Sequence, residues 1–283
     1  MTGEKGMLYL CATPIGNLED ITMRVVRTLK EADLIAAEDT RNSIKLLNHF
    51  EIHTPMTSYH EYNKIEKGRM LVKRLLKGEN IALITDAGTP GISDPGEELV
   101  RMCRDAGIAV TSLPGPCACV TALTLSGLSS RRFCFEAFLP REKKERRRIL
   151  WELQRETRTI LLYEAPHRLA ETLKELYETL GDRRLTLCRE LTKRHEESWE
   201  TTLSGALKRY ETESPRGECV LVLEGKTREE VQEDERRVWE NMSIQEHVDF
   251  YIGQGMDKKE AMKAAAGDRG VSKREIYKEL LNS

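Results

Sequence analysis

Three loops rich in glycine and proline each follow directly on a short apolar run, and nothing else in the chain constrains its fold as tightly. They are Thr13-Pro14-Ile15-Gly16-Asn17 after residues 7–12, Asp86 to Gly96 after 80–85, and Pro114-Gly115-Pro116 after 108–113. Runs of that length, bounded by such residues, predict strands. Segments of helical apolar period lie between them, at about 20–31, 41–50, 63–77 and 95–107, with a further strand at 33–37. Strands alternating with helices imply an α/β fold around a mainly parallel sheet.

Pro114-Gly115-Pro116 interrupts this pattern, and a helix-like run from Cys117 to Leu125 follows, so a domain junction is expected there. Strands at 133–138, 159–164, 184–190, 198–203 and 218–224 come next, with helices at 142–156, 166–180 and about 204–211. The last three strands are closely spaced, which predicts a mixed sheet. The expected division is 1–114, an N-terminal α/β domain; 115–226, a second α/β domain; and 227–283, a linker and small helical module. The charged run after Gly225 reads as a solvated linker or exposed helix. Beyond it Ser243 with Glu246, Asp257 with Glu260 and Ser272 with Glu275 have the spacing of capping boxes, predicting three short helices, the first two ended by Gly255 and Gly270.

A length of 283 residues suits two compact domains and an appendage. The net charge of −2 gives no global attraction for polyanions, so contact with nucleic acid needs local basic patches. One such patch is Arg141 to Arg148, with six cations and two acids; a solvated helix face explains it equally well. Another is residues 257–283, with seven Lys or Arg against five acids, a helix-turn-helix-like stretch that serves packing as readily as reading nucleic acid. Seven cysteines without a CxxC pair or a histidine at ligand spacing read as reduced core thiols, and no metal is expected. Too few apolar residues precede Pro14 for a signal segment and no stretch approaches a membrane span, which predicts a cytoplasmic protein.

Ligands of open α/β sheets bind beyond the carboxyl ends of strands, where glycine permits close backbone approach. No Lys-Ser or Lys-Thr follows the glycine-rich stretch and GxGxxG is absent, so nucleoside triphosphate and dinucleotide readings fall. Ionisable residues also gather at strand ends: Glu38-Asp39-Thr40-Arg41, Glu164-Ala165-Pro166-His167-Arg168 and Arg189-Glu190. Asp94 reads first as a helix cap.

The loops in this order, with AAEDTRNS, ITDAGTPGISDPG, LPGPCACVTAL, FEAFLPR, YEAPHR, CRELTKRHEE, RGECVLVLEG and GVSKREIY, resemble the tetrapyrrole methylase superfamily and, within it, the ribosomal small-subunit RNA methyltransferase I family. The similarity spans nearly the whole chain. Ala137 and Cys119 depart from it, standing where Gly and Ala are expected. The resemblance implies a two-domain fold with S-adenosylmethionine in the cleft between domains, a homodimer, and 2′-O-methylation of a cytidine in the decoding region of 16S ribosomal RNA in the small subunit. By motif, Pro14, Asp86, Ala87, Gly88, Ile92, Ser93, Cys117, Ala118, Tyr163, Glu164, Leu191, Gly217 and Glu218 would surround the methyl donor.

Methyl transfer from a sulfonium is an in-line displacement that depends on alignment, but a ribose hydroxyl must also lose its proton. Strand-end placement offers Asp39 or Glu190 as base or hydroxyl orienter, with Arg41 and His167 for phosphate or the developing oxyanion. Arg141, Lys143, Lys144, Lys273 and Arg274 are the candidate RNA contacts. The alternatives are C-methylation of a porphyrinoid precursor and a non-enzymatic ribosome-assembly factor.

Overall fold

The computed structural model describes residues 4–240 and 242–282. They form two compact units, one running up to Trp151 and resuming over Arg158–Glu224, the other combining Glu152–Thr157 with the chain from Gly225 onward.

The first half of the larger unit holds β1 (Met7–Cys11), α1 (Met23–Glu31), β2 (Leu34–Ala37), α2 (Thr40–His49), β3 (Met56–Ser58), α3 (Lys64–Leu75), β4 (Ile81–Ile84), α4 (Gly96–Asp105) and β5 (Ala109–Leu113). Its sheet is parallel throughout, in the order β3-β2-β4-β1-β5. Every residue of β2 and β4 is buried, as strands covered on both faces require. Alternation divides their side chains between two cores. Leu8, Leu34, Ile81 and Leu83 pack with Leu71 and Leu75 of α3 and Leu99 of α4, while Cys11, Ile35, Ala82 and Ile84 pack with Val25 and Leu29 of α1 and Leu47 of α2.

One strand and one helix start depart from the sequence reading. Strand β3 was not expected; three half-buried residues are too short for an alternating signal. The helix expected from about residue 20 starts at Met23 instead, because the Thr22 hydroxyl accepts the Val25 N–H and sets the start there.

The chain continues with α5 (Ala118–Leu125), β6 (Phe133–Phe138), α6 (Lys143–Leu153, its last two residues counted with the smaller unit), β7 (Thr159–Glu164), α7 (Pro166–Leu180), β8 (Arg184–Arg189), β9 (Glu197–Thr202), α8 (Leu203–Tyr210) and β10 (Cys219–Leu223). This second sheet is mixed, in the order β6-β7-β10-β8-β9, with only β6 and β7 parallel. The register of β6 shifts between Phe135 and Ala137, and Ala137 takes a φ of 52°. A left-handed residue at a bulge favours glycine, which gives a physical reason for the glycine expected there.

The smaller unit carries α9 (Arg228–Glu240), α10 (Ile244–Gly253), α11 (Lys258–Arg269) and α12 (Lys273–Asn282). The charged run is therefore a helix, opened by an unforeseen capping box in which Glu230 N–H donates to Thr227 Oγ1 and Thr227 N–H to the Glu230 carboxylate. Ser243, Asp257 and Ser272 cap the three that follow. Gly270 is a left-handed C-cap, and Gly255 terminates α10 as expected: it follows the C-cap Gln254 with a φ of 93°, and the Met256 N–H turns back to Tyr251 O. Val248, Ala261, Ala265 and Ile276 form a core of this unit's own. Buried His247 stacks on Trp239 at 4.0 Å, accepts from Arg269 Nε at Nδ1 and lies 3.1 Å from Asp268 through Nε2.

Candidate active site

The loops after β4, β1 and β5 follow adjacent strands, and hydrogen bonds join them. Thr13 and Gly88 exchange backbone bonds of 2.9 and 3.0 Å, and Thr89 Oγ1 donates to Pro116 O at 2.9 Å. Gly88 has a φ of 87°, and a Cβ there would stand 3.3 Å from Ile15 Cγ2, so the backbone itself forms the wall. Asp94 locks the rest of the β4 loop by accepting from the N–H groups of Gly91, Ile92 and Gly96. Only the Gly96 bond takes a free amide of α4, whose N-cap position is Pro95, so Asp94 is chiefly a clamp on the loop.

Against this wall the second sheet places Phe138, Tyr163, Glu164, Glu190, Leu191, Glu218, Cys219 and Val220, and the space between is a cavity of about 300 Å³. Of the residues expected around a methyl donor, eleven line it: Asp86, Ala87, Gly88, Ile92, Ser93, Cys117, Ala118, Tyr163, Glu164, Leu191 and Glu218. Two do not. Pro14 borders a separate shallow depression with Gly16, Asn42, Lys45, His49 and Asp86. Gly217 lies behind Glu190, whose carboxylate occupies the space a Cβ at 217 would need. Ile15, Glu38, Thr85, Thr89, Asp94, Phe138, Glu190, Lys193, Cys219 and Val220 complete the lining without having been singled out for the donor. Position after a strand marked Glu38 as one of the strand-end ionisable residues, though not for the donor, whereas the strand residues Cys219 and Val220 give no such signal.

The cavity is acidic. Glu38, Asp86, Asp94, Glu164, Glu190 and Glu218 line it, against Lys193 as the cation among the lining residues. Some of these carboxylates already have partners. Glu164 is buried, accepts from Thr172 Oγ1 at 2.6 Å and lies 3.6 Å from Arg168 Nε, while Glu190 pairs with Lys193 at 3.0 Å. Glu38 accepts from Thr85 Oγ1 at 2.5 Å. Burial, and then the charge of Glu38, push the Asp86 carboxyl above its ordinary range. Such a field disfavours polyphosphates and suits a ligand carrying positive charge.

Among the described residues, four of the five non-glycine positions with positive φ lie at this cavity: Ser93 and Glu190 line it, and Ala137 and Thr192 adjoin lining residues in sequence. Backbone strain gathered in one place is characteristic of functional sites.

The expected catalytic residues are divided. Glu190 lines the cavity, but Asp39, Arg41 and His167 do not. Asp39 caps α2 and holds Arg41 through Nε and Nη2, and the guanidinium brings its carboxyl down to about 2. A carboxylate so committed is a weak base. Its backbone N–H, however, donates to Asp86 Oδ1 at 3.1 Å. Arg41 is 88% exposed, and His167 is exposed in the first turn of α7.

Of the candidate RNA contacts, Arg141, Lys143, Lys144 and Arg274 are exposed and Lys273 is half-buried. The basic run is not a uniform face, because Arg146 is buried, bonded to Glu175 at 2.6 Å and to Thr172 Oγ1 at 2.7 Å. Among the described residues no helix is long and apolar enough to cross a membrane, and no group of three or more His, Cys, Asp or Glu is placed to hold a metal ion.

Comparison with known proteins gives a consistent family. The model of the tetrapyrrole (corrin/porphyrin) methylases matches residues 7–206. The ribosomal RNA small subunit methyltransferase I of Halalkalibacterium halodurans is 52% identical, over 97% of this chain and 94% of its own length. That of Bacillus subtilis is 50% identical over the same shares. Among solved structures, the uroporphyrin-III C-methyltransferase of Thermus thermophilus complexed with S-adenosylhomocysteine aligns with a TM-score of 0.54, at 19% identity, over 77% of this chain and 97% of that one. That last likeness concerns the fold alone.

Proposed function

The chain belongs to the tetrapyrrole methylases and, within them, to the ribosomal RNA small subunit methyltransferase I family, and from that premise we propose that it transfers a methyl group from S-adenosylmethionine to the 2′-hydroxyl of a cytidine in the decoding region of 16S ribosomal RNA. The observation that carries this reading is the acidic, glycine-walled cavity beyond the strand ends.

The residues present fit the donor. S-adenosylmethionine supplies a methyl group on a cationic sulfonium whose leaving group is a neutral thioether. Glu38, Glu190 and Glu218 give the cavity the negative field that a cationic ligand needs, and the Ala87-Gly88 backbone offers polar groups without side-chain obstruction. The main task of the protein is then alignment.

Asp86 is the residue common to the cavity and the shallow depression on α2. It accepts the hydroxyl proton in our reading, taking the place of Asp39, which orients it through a backbone N–H. Arg41, Lys45 and His49 offer phosphate contacts along α2, and Arg141, Lys143, Lys144, Lys273 and Arg274 offer others. A homodimer working in the cytoplasm on the small subunit completes the proposal.

Incubation of the protein with tritiated S-adenosylmethionine and unmodified small subunits, followed by nuclease mapping, tests it. Label on one decoding-region ribose is expected. Donor binding without label on the subunit would reject the acceptor, and absence of donor binding would reject the enzyme.

A further inference from the structure

Two sulfurs stand together at the cavity. Cys117 Sγ and Cys119 Sγ are 3.4 Å apart, beyond bonding distance but within direct contact. Cys117 lines the cavity and is half-buried, so small solutes entering the cavity reach it; Cys119 lies behind it, 6% exposed. Ala118, between them, also lines the cavity. The pair sits where α5 begins, with Cys117 in extended conformation at the N-cap and the Cys119 N–H donating to the Tyr163 hydroxyl at 3.1 Å.

The two thiols are not equivalent. The Cys119 thiol and the amides of Val120 and Cys119 favour the Cys117 thiolate, while Cys119 is held protonated beside it. By contrast, burial pushes Cys219, the other thiol on the wall, up to about 12.

We infer that Cys117 and Cys119 are a hydroperoxide-sensitive dithiol whose closure to a disulfide shuts the methyl-donor site. The consequence for the donor rests on the reading of the cavity given above; the chemistry of the pair does not. The Cys117 thiolate attacks one oxygen of hydrogen peroxide, the O–O bond breaks, and hydroxide leaves and is protonated to water, giving a sulfenic acid. The Cys119 sulfur, losing its proton, then attacks the Cys117 sulfur; the S–S bond forms, the S–O bond breaks, and a second water departs. Two thiols are oxidised by two electrons and one peroxide is reduced to two waters. A dithiol reductant reverses the change.

Closure shortens the separation to about 2.05 Å. It draws Cys117 off the cavity wall, turns the peptide that carries Ala118 and strains the Cys119–Tyr163 bond. Both faces of the cavity therefore respond to one covalent event.

The full-length reduced protein is titrated with hydrogen peroxide, digested after alkylation, and measured for S-adenosylmethionine affinity by calorimetry. We expect the peptide carrying both cysteines to lose two hydrogens and resist alkylation. Donor affinity should fall by about tenfold or more, with both effects reversed by dithiothreitol. Cys119→Ala should bind the donor normally and stop at a Cys117 sulfenic acid that dimedone traps. Alkylation of both cysteines after peroxide, or a disulfide that leaves donor affinity unchanged, would overturn the inference. Mass is read without the donor, so a reduced protein that failed to bind S-adenosylmethionine would reject the donor-site reading separately.

Discussion

Glu190 keeps its carboxylate at the cavity wall because residue 217 has no side chain, and because its own backbone adopts a φ of 52°. Gly217→Ala adds a Cβ at a φ of 74°, a conformation that costs an L-residue about 1–2 kcal/mol. It should lower unfolding stability by that amount in urea titrations and displace Glu190, weakening donor binding. Ala137 shows the opposite case. It carries the left-handed strain without needing its methyl group for the bulge, so Ala137→Gly should stabilise the protein by about 0.5–1 kcal/mol after the entropic cost of glycine, read in the same titration. Asp39, Arg41 and His167 were legible as strand-end residues, yet they face away from the cavity or pair with each other. Chain position locates the end of a strand, but it does not say which side of that end a side chain takes.

At the scale of elements, periodicity identified the long helices and the buried strands because their apolar residues repeat with the period of the structure. It missed β3, which has only three residues, and it treated the basic run at the start of α6 as one surface. Arg146 is the exception within that helix. Arg146→Ala removes the ion-pair partner of Glu175 and one of the two bonds of Thr172, which keeps Glu164, and should cost about 3 kcal/mol, whereas exposed Arg147→Ala should stay within about 0.5 kcal/mol; thermal or urea unfolding separates them. In the helical unit, burial and the neighbouring Arg269 hold His247 below its ordinary 6.5. The folded state then resists a proton that the unfolded chain accepts. Stability therefore falls as pH drops through 6.5 and is recovered above it. Hydrogen exchange in α10–α12 should quicken between pH 7 and 5, and exchange that ignored pH, once corrected for its intrinsic rate, would contradict this account of the network.

For the molecule as a whole, alternation and the three loops foretold a parallel sheet and a mixed sheet, and they drew attention to the strand ends where the cavity lies. They could not foretell the opposite wall, because Phe138, Cys219 and Val220 reach the cavity through the tertiary arrangement of a second sheet. Nor could they show that residues 152–157 join the C-terminal helices in one compact unit. Deleting residues 240–283 should spare donor binding and weaken association with the small subunit, as judged by calorimetry and by subunit pull-down. Loss of both would give those helices a folding role instead. The central claim is that one cavity holds the donor while Asp86 serves the acceptor, and Asp86→Asn tests it most directly. Donor affinity and methyl transfer to the small subunit are measured together across pH. In the unaltered protein, activity should decline as pH falls, on a limb above the ordinary carboxyl value of 3.8, because a raised carboxyl must be ionised to take the proton. The variant should bind S-adenosylmethionine within about tenfold of the original, lose transfer by about 10²–10⁴ and lose the acidic limb. Full transfer with the limb intact would contradict the assignment of Asp86.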